Sequence, residues 1–265
     1  MDAFGNLSNT TNSFTASPTR TEAYHEEITY DPNGNIKTYL RNGDGRSIGM
    51  DNLTYNYNGN TNQLNQVTDA ITSATPGDYS DIKTQGANNY VYDKIGNLIK
   101  DNAEGITNID WTVYGKIKRI TKGNGTIINY TYDAGGNRIS KIVTTASIGD
   151  STYYVRDASG NVMSVYNKKG TASLTQTELH LYGSSRLGVY NIAVDVQNCS
   201  SLSSSITNFT RGNKFCELSN HLGNVLVTIS DKILQVTADG TTVSYYNADI
   251  ITAKNYYPFG MQMSD

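Results

Sequence analysis

Apolar and polar residues alternate along much of the chain with a period of two, the mark of a strand with two unlike faces. Residues 126–132 set Ile128, Tyr130 and Tyr132 on one face and Ile127, Asn129 and Thr131 on the other. In residues 224–230, Val225, Val227 and Ile229 alternate with Leu226, Thr228 and Ser230. Residues 151–155 and 161–166 are similarly rich in Tyr and Val, which suit a pleated, half-buried surface. No window sustains a 3.6-residue apolar spacing backed by good helix formers, so little helix is expected. The expectation is an all-β chain of roughly 12 to 18 short strands in an open, twisted sheet that curls along its strands. Three stretches carry neither period: 1–20, read as a loose leader, and 71–89 and 198–214, read as long loops.

Between the alternating runs one pattern recurs, Asp or Asn, two variable residues, Gly, then Asn. The copies are Asp31–Asn35 with Gly34, Asn56–Asn60 with Gly59, and Asp93–Asn97 with Gly96. They continue as Asp133–Asn137 with Gly136, Asp157–Asn161 with Gly160, and Asn220–Asn224 with Gly223. With 18 Asp, 30 Asn and 24 Gly in 265 residues, random placement gives about half of one match, so six are a repeat. The chemistry is that of a tight turn. The first side chain accepts a bond from backbone two residues on, Pro32 suits the second position of a type I turn, and Gly takes the left-handed conformation. A related turn, Thr112–Gly115, lies between the third and fourth copies. The copies are unevenly spaced and carry no Trp-Asp signature, which counts against the runner-up fold, a closed propeller.

Composition changes the picture in one respect. Hydrophobic residues are 37% of the chain, and 20 of its aromatic residues are Tyr against 5 Phe and 1 Trp. A tyrosine ring packs like a hydrophobe while its hydroxyl wants a partner, which predicts thin, half-wet sheets. The net charge of -3 offers no field for nucleic acid, and no apolar stretch is long enough to cross a membrane as a helix. The cluster Lys116, Lys118, Arg119 and Lys122 reads as the solvated face of a strand. Residues 1–20 have no basic start followed by an apolar run, so no signal peptide is expected within this sequence. Cys199 and Cys216 flank a polar segment and are candidates for a disulfide, with two free thiols as the alternative.

The Tyr-Asp-x-x-Gly-Asn units at Tyr30-Asp31, Tyr92-Asp93 and Tyr132-Asp133 resemble the YD repeat of the bacterial Rhs family, found also in toxin-complex proteins and animal teneurins. Further on, residues 180–188, 217–225 and 256–261 are similar to the entry of the Rhs-associated core of Bacteroidetes-type sequences. The resemblance runs from about Tyr24 to Met263. It implies residues 1–20 as leader, 21–175 as YD-repeat sheet, and 176–265 as the N-terminal part of the core. It further implies a spiral β-shell segment of an exported bacterial protein, extracellular or at the cell surface, that in a complete protein encloses or presents a C-terminal toxin. The partners implied are further shell strands or a second copy, a toxin cargo, or a cell-surface partner. The family's self-cleaving aspartates lie beyond Asp265, so the expectation for these residues is a non-catalytic wall.

Residue by residue, the enzyme readings are weaker. Three histidines, His25, His180 and His221, lack a nucleophile motif, and Gly183-Ser184-Ser185-Arg186 does not match a Gly-x-Ser-x-Gly elbow. Asp31, Asn33 and Asn35, like Asn56, Asn58 and Asn60, mimic the first calcium ligands of an EF-hand. They lack its sixth-place Gly and twelfth-place Glu, where Asn42 follows the first set. No catalytic residue, metal or cofactor is expected. The alternative to a shell segment is a surface module that holds glycan or protein on tyrosine-rich sheet faces, Trp111 included.

Overall fold

A computed structural model describes residues 6–8, 13–15, 22–43, 49–71, 82–146, 148–198, 210–238 and 240–263. Nineteen strands and no helix occur among them. The protein is all-β, with antiparallel pairing throughout, and its sheets are not closed. The chain divides into two compact units, residues 1–103 with 255–265, and residues 104–254.

In the first unit, β1 (Asn6–Ser8) and β2 (Ser13–Thr15) pair within the stretch expected to be a loose leader, the rest of which lies outside the described residues. Next come β3 (Glu26–Tyr30), β4 (Ile36–Arg41), β5 (Asp51–Tyr57) and β6 (Leu64–Asp69), a four-stranded meander in sequence order. The hairpin β7 (Tyr90–Tyr92) and β8 (Leu98–Asp101) follows. The core of this unit is small and mixed. Met50, Leu53, Val67 and Tyr257 are buried beside Arg41, Asn42, Asp51 and Asp69. Burying charge is costly unless it is paired. Arg41 meets this by donating from Nε to Asp51 Oδ2 at 2.7 Å and pairing with the same carboxylate through its Nη2.

The second unit is one antiparallel meander. Its strands are β9 (Ile106–Trp111), β10 (Ile117–Lys122), β11 (Ile127–Tyr132), β12 (Arg138–Thr145), β13 (Ile148–Arg156) and β14 (Val162–Lys168). It continues through β15 (Thr175–Tyr182), β16 (Arg186–Asp195), β17 (Lys214–Ser219), β18 (Val225–Thr237) and β19 (Val243–Ala253). Every strand pairs with its sequence neighbours, as hairpins joined by tight turns must. Among its described large apolar residues only Ile109 and Val165 are buried, while most of the strand residues are half-buried. That is the half-wet sheet a tyrosine-rich composition makes. The β18–β19 ribbon runs past the end of β17, which pairs only with Val225–Ser230. It leaves Ile233, Tyr245, Tyr246 and Ile250 at least half exposed. Most of the loop residues 71–89 and 198–214 lie outside the described residues, as does Cys199 and with it the proposed disulfide to Cys216.

Candidate functional site

The recurring chemistry of this chain lies at its turns. At Asp31 the backbone closes twice, Asp31 N–H donating to the Asn35 carbonyl at 2.9 Å and Gly34 N–H to the Asp31 carbonyl at 3.0 Å. The side chain closes it again. Asp31 Oδ1 accepts from the backbone N–H of Asn33 and Asn35, both at 2.9 Å, and Oδ2 accepts from Asn35 Nδ2 at 2.9 Å. Asp93 repeats this with Ile95 and Asn97, and Asp157 with Ser159 and Asn161. Asp133 accepts from Asn137 N–H at 2.8 Å and from Asn137 Nδ2. Asn220 Oδ1 accepts from Leu222 and Asn224. The glycines at 34, 96, 136, 160 and 223 all take the left-handed conformation, with φ between 79° and 93°. Asn35, Asn97, Asn137, Asn161 and Asn224 each open the return strand, whose first residue follows directly.

These bonds favour the ionised carboxyl. At Asp31 and Asp157 the side-chain bond from the following Asn is the largest influence, and both sit below the usual carboxylate range. At Asp133 the Asn137 backbone bond leads, with the same result. At Asp93 lost hydration pushes upward most strongly, yet the Asn97 backbone and side-chain bonds together outweigh it. With both oxygens turned into its own loop, Asp31 has little left to offer a calcium ion.

The second copy of the pattern folds differently. Asn56 lies in β5 opposite Gln66, and the turn runs from Asn58 to Gln63, with Asn58 N–H donating to the Gln63 carbonyl at 2.8 Å. The left-handed residue is Asn60, at φ 58°, and Gly59 does not have positive φ. Strand register decides this. Leu53 and Val67 are buried, and sliding the turn back by two residues would unpair them and displace Tyr57.

Three further turns use the same backbone closure without Asp. In Thr112–Lys116, Lys122–Thr126 and Tyr257–Met261, the first N–H donates to the fifth carbonyl and the fourth residue, a left-handed Gly, donates to the first carbonyl. The last two were not legible from an Asp-based pattern. What they share is a left-handed Gly in the fourth place, Gly125 and Gly260.

What the pattern concealed is the task of the residue before five of the turns. That residue sits in a β-bulge, where pairing shifts by one, as between Thr131 and Tyr132 or Leu181 and Tyr182. The re-aimed side chain reaches the hairpin before it. Tyr57 Oη donates to the Ile36 carbonyl at 2.8 Å, Tyr92 to Leu64 at 3.1 Å, Tyr132 to Ile117 at 2.7 Å, and Tyr182 to Val162 at 3.0 Å. Arg156 does the same with Nε, donating to Arg138 at 3.0 Å. In each case the acceptor is the first residue after the previous turn at the same end of the sheet. The tyrosine of each such pair is therefore a clamp between successive hairpins.

A groove of about 790 Å³ lies between the Thr112 and Asp133 turns. Trp111, Tyr130, Tyr132, Lys116 and Lys118 line it. Two of its rings are engaged, since Arg138 covers Tyr130 at 4.4 Å and Tyr132 is clamped. The histidines do not converge. His180 Nε2 lies 3.1 Å from Glu178, His25 faces Glu27, and His221 sits in an exposed turn. Among the described residues no three His, Cys, Asp or Glu side chains come together as a metal site. No helix there is long and apolar enough to cross a membrane.

A model of the Teneurin YD-shell family matches residues 2–183. The chain belongs to that family. Among solved structures, this YD-shell chain is similar to the Tc holotoxin pore of Photorhabdus luminescens with a substituted TccC3. Identity there is 16% over 89% of this chain, at a TM-score of 0.55. A crystal structure of TcdB2–TccC3 aligns at 15% identity over 90% of this chain, with a TM-score of 0.38. The chain spans 10% of the first of these and 14% of the second. The likeness to the holotoxin pore is one of fold. No curated protein matches the sequence.

Proposed function

We propose that this YD-shell chain is a stretch of non-catalytic wall in an exported bacterial protein of Bacteroidetes Rhs type. At the cell surface or outside the cell, the complete shell would enclose or present a C-terminal toxin. The observation that carries this is the clamp series, in which five hairpins are each bonded to an earlier one by the residue that precedes their turn. Such a device extends a sheet by one hairpin at a time, which is what a wall requires. The turn aspartates and the clamp residues are spent on the same task. Turn aspartates hold backbone N–H groups, and clamp tyrosines hold carbonyls, which weighs against free rings stacking on a glycan.

The test is association and containment. Sedimentation velocity on the purified chain across a concentration series, alone and with a second YD-shell polypeptide, should reveal concentration-dependent assembly. A strictly monomeric chain that captures no such polypeptide would overturn the wall assignment. Prolonged incubation followed by intact-mass measurement should return one uncleaved species, and a self-cleavage product would overturn the non-catalytic one.

A further inference from the structure

The sequence holds four Asn-Gly bonds, at Asn33-Gly34, Asn42-Gly43, Asn58-Gly59 and Asn124-Gly125. Such a bond can close into a ring when the glycine nitrogen reaches the asparagine Cγ, because glycine has no side chain to hinder the approach. Three of the four are held back. Gly34 and Gly125 stand fourth in their turns, and their N–H groups donate to the Asp31 carbonyl at 3.0 Å and the Lys122 carbonyl at 3.1 Å. Asn42 is buried, and its Nδ2 donates to the Glu22 carbonyl at 2.9 Å.

Asn58-Gly59 differs because its turn starts at Asn58. The fourth-place bond falls to Thr61, whose N–H donates to the Asn58 carbonyl at 3.1 Å. Gly59 comes second, the place that Pro32, with no N–H, fills in the first copy. Its amide has no partner among the described residues. Gly59 is also exposed, and a Cβ added there would meet nothing within 4 Å. The carbonyl that the amide would attack is prepared as well. Asn58 Oδ1 accepts from Asn65 Nδ2 at 2.7 Å. Asn65 is itself fixed by Asn88, whose N–H donates to Asn65 Oδ1 at 2.8 Å and whose Oδ1 accepts from Asn65 Nδ2 at 3.0 Å. A fixed donor aimed at a carbonyl oxygen stabilises the negative charge that attack puts there.

We propose that Asn58 is a modification site, converted without an enzyme to aspartate and isoaspartate through a cyclic imide, with Asn65 as donor to the developing oxyanion. The Gly59 nitrogen bonds to Asn58 Cγ, the Cγ–Nδ2 bond breaks, and ammonia leaves with the proton that Gly59 gave up. Water then opens the ring. Breaking the bond from Gly59 nitrogen to Cγ gives aspartate. Breaking the bond to the Asn58 main-chain carbonyl carbon gives isoaspartate, which adds one methylene to the main chain. Water enters, ammonia departs, and nothing is oxidised or reduced. The added methylene falls between β5 and β6, whose register buries Leu53 and Val67.

The experiment incubates the whole chain at neutral pH, folded and in urea, and follows each Asn-Gly bond by peptide mass and by isoaspartyl methyltransferase labelling. In the folded chain Asn58 should convert about 10-fold faster than Asn33, Asn42 or Asn124, each of which must first break a hydrogen bond. In urea the four rates should converge. Asn65→Ala and Asn65→Asp both remove the donor and should slow conversion roughly 2- to 10-fold, the effect of one hydrogen bond. Gly59→Ala should slow it in a chain that still folds, since Gly59 has no positive φ. Hydrogen exchange at Leu53 and Val67 should quicken in the isoaspartate fraction and stay slow in Asn58→Asp. Equal conversion at the four bonds of the folded chain, or conversion of Asn58 in urea alone, overturns the site. Unchanged or faster conversion in both Asn65 variants overturns the part assigned to Asn65.

Discussion

At the scale of the residue, the turns separate positions that need glycine from positions that merely contain it. Gly96 sits at φ 93°, and a Cβ added there meets nothing within 4 Å, so the whole penalty of a side chain is conformational. Gly96→Ala should cost about 1–2 kcal/mol, measured by urea denaturation of the full chain. Gly59 is equally open but has no positive φ. Gly59→Ala should be neutral or stabilise by about 0.4–1 kcal/mol, through the unfolded chain alone. Equal losses at the two sites would mean that the second turn does start at Asn56. The turn carboxylates make a separate prediction. Asp31, Asp133 and Asp157 are held low by bonds from their following Asn, and Asp93 despite lost hydration. A carboxyl lowered in the folded state adds stability that is present above its unfolded value, near 3.8, and is lost as pH falls through the folded value. Carboxyl titration by NMR should therefore place all four below 3.8. Asp157→Asn, which keeps the acceptor as Asn220 does, should flatten the acid limb of the stability profile.

At the scale of the element, part of the design was readable in the sequence and part was not. The Asp turns were legible because both partners of each bond lie within five residues at fixed spacing. The clamps were not, although the tyrosines before the turns were in plain view. Their acceptors are backbone carbonyls, which have no side-chain signature, and the separation varies from 15 to 28 residues. Arg156 hides the rule further, since nothing in its type suggests equivalence with tyrosine. The common requirement is a long side chain with a donor at its tip. Tyr132→Phe keeps the ring and removes the donor, leaving the Ile117 carbonyl unmet at a half-buried site. It should cost about 0.5–1.5 kcal/mol and raise exchange locally in β10 and β11. Arg156→Tyr should retain its clamp, whereas Arg156→Ala should behave like Tyr132→Phe. If Tyr132→Phe is silent in both denaturation and exchange, the ring alone joins the hairpins.

At the scale of the whole chain, the least predictable feature is the return of residues 255–263 to the first unit. Local pattern cannot announce a contact across 215 residues, and Tyr257-Pro258-Phe259-Gly260 lacks the Asp that marked the other turns. Yet its turn is closed in the same way, and it delivers Tyr257 into the unit's core at 2% exposure. There Tyr257 Oη donates to the Asn42 carbonyl at 2.6 Å and touches Met50 Sδ, while Arg41 and Tyr24 pack against the ring. A small core that also holds the Arg41–Asp51 pair has few other large side chains, so the loss of this ring must be felt. Tyr257→Ala should cost the first unit about 3–5 kcal/mol, the range for emptying an aromatic site. Tyr257→Phe should cost only the hydroxyl's share, about 0.5–1.5 kcal/mol. Burial pushes the Tyr257 hydroxyl up to about 12 from 10. A raised folded value means stability present below the unfolded value and lost as pH climbs through the folded one. The wild-type chain should thus weaken between about pH 10 and 12, and Tyr257→Phe should weaken less over that interval. Exchange at Met50 and Leu53 reports on the first unit, and exchange at Ile109 and Val165 on the second. In Tyr257→Ala the first pair should open and the second stay protected. Equal opening of both would mean that the ring supports more than the core it occupies.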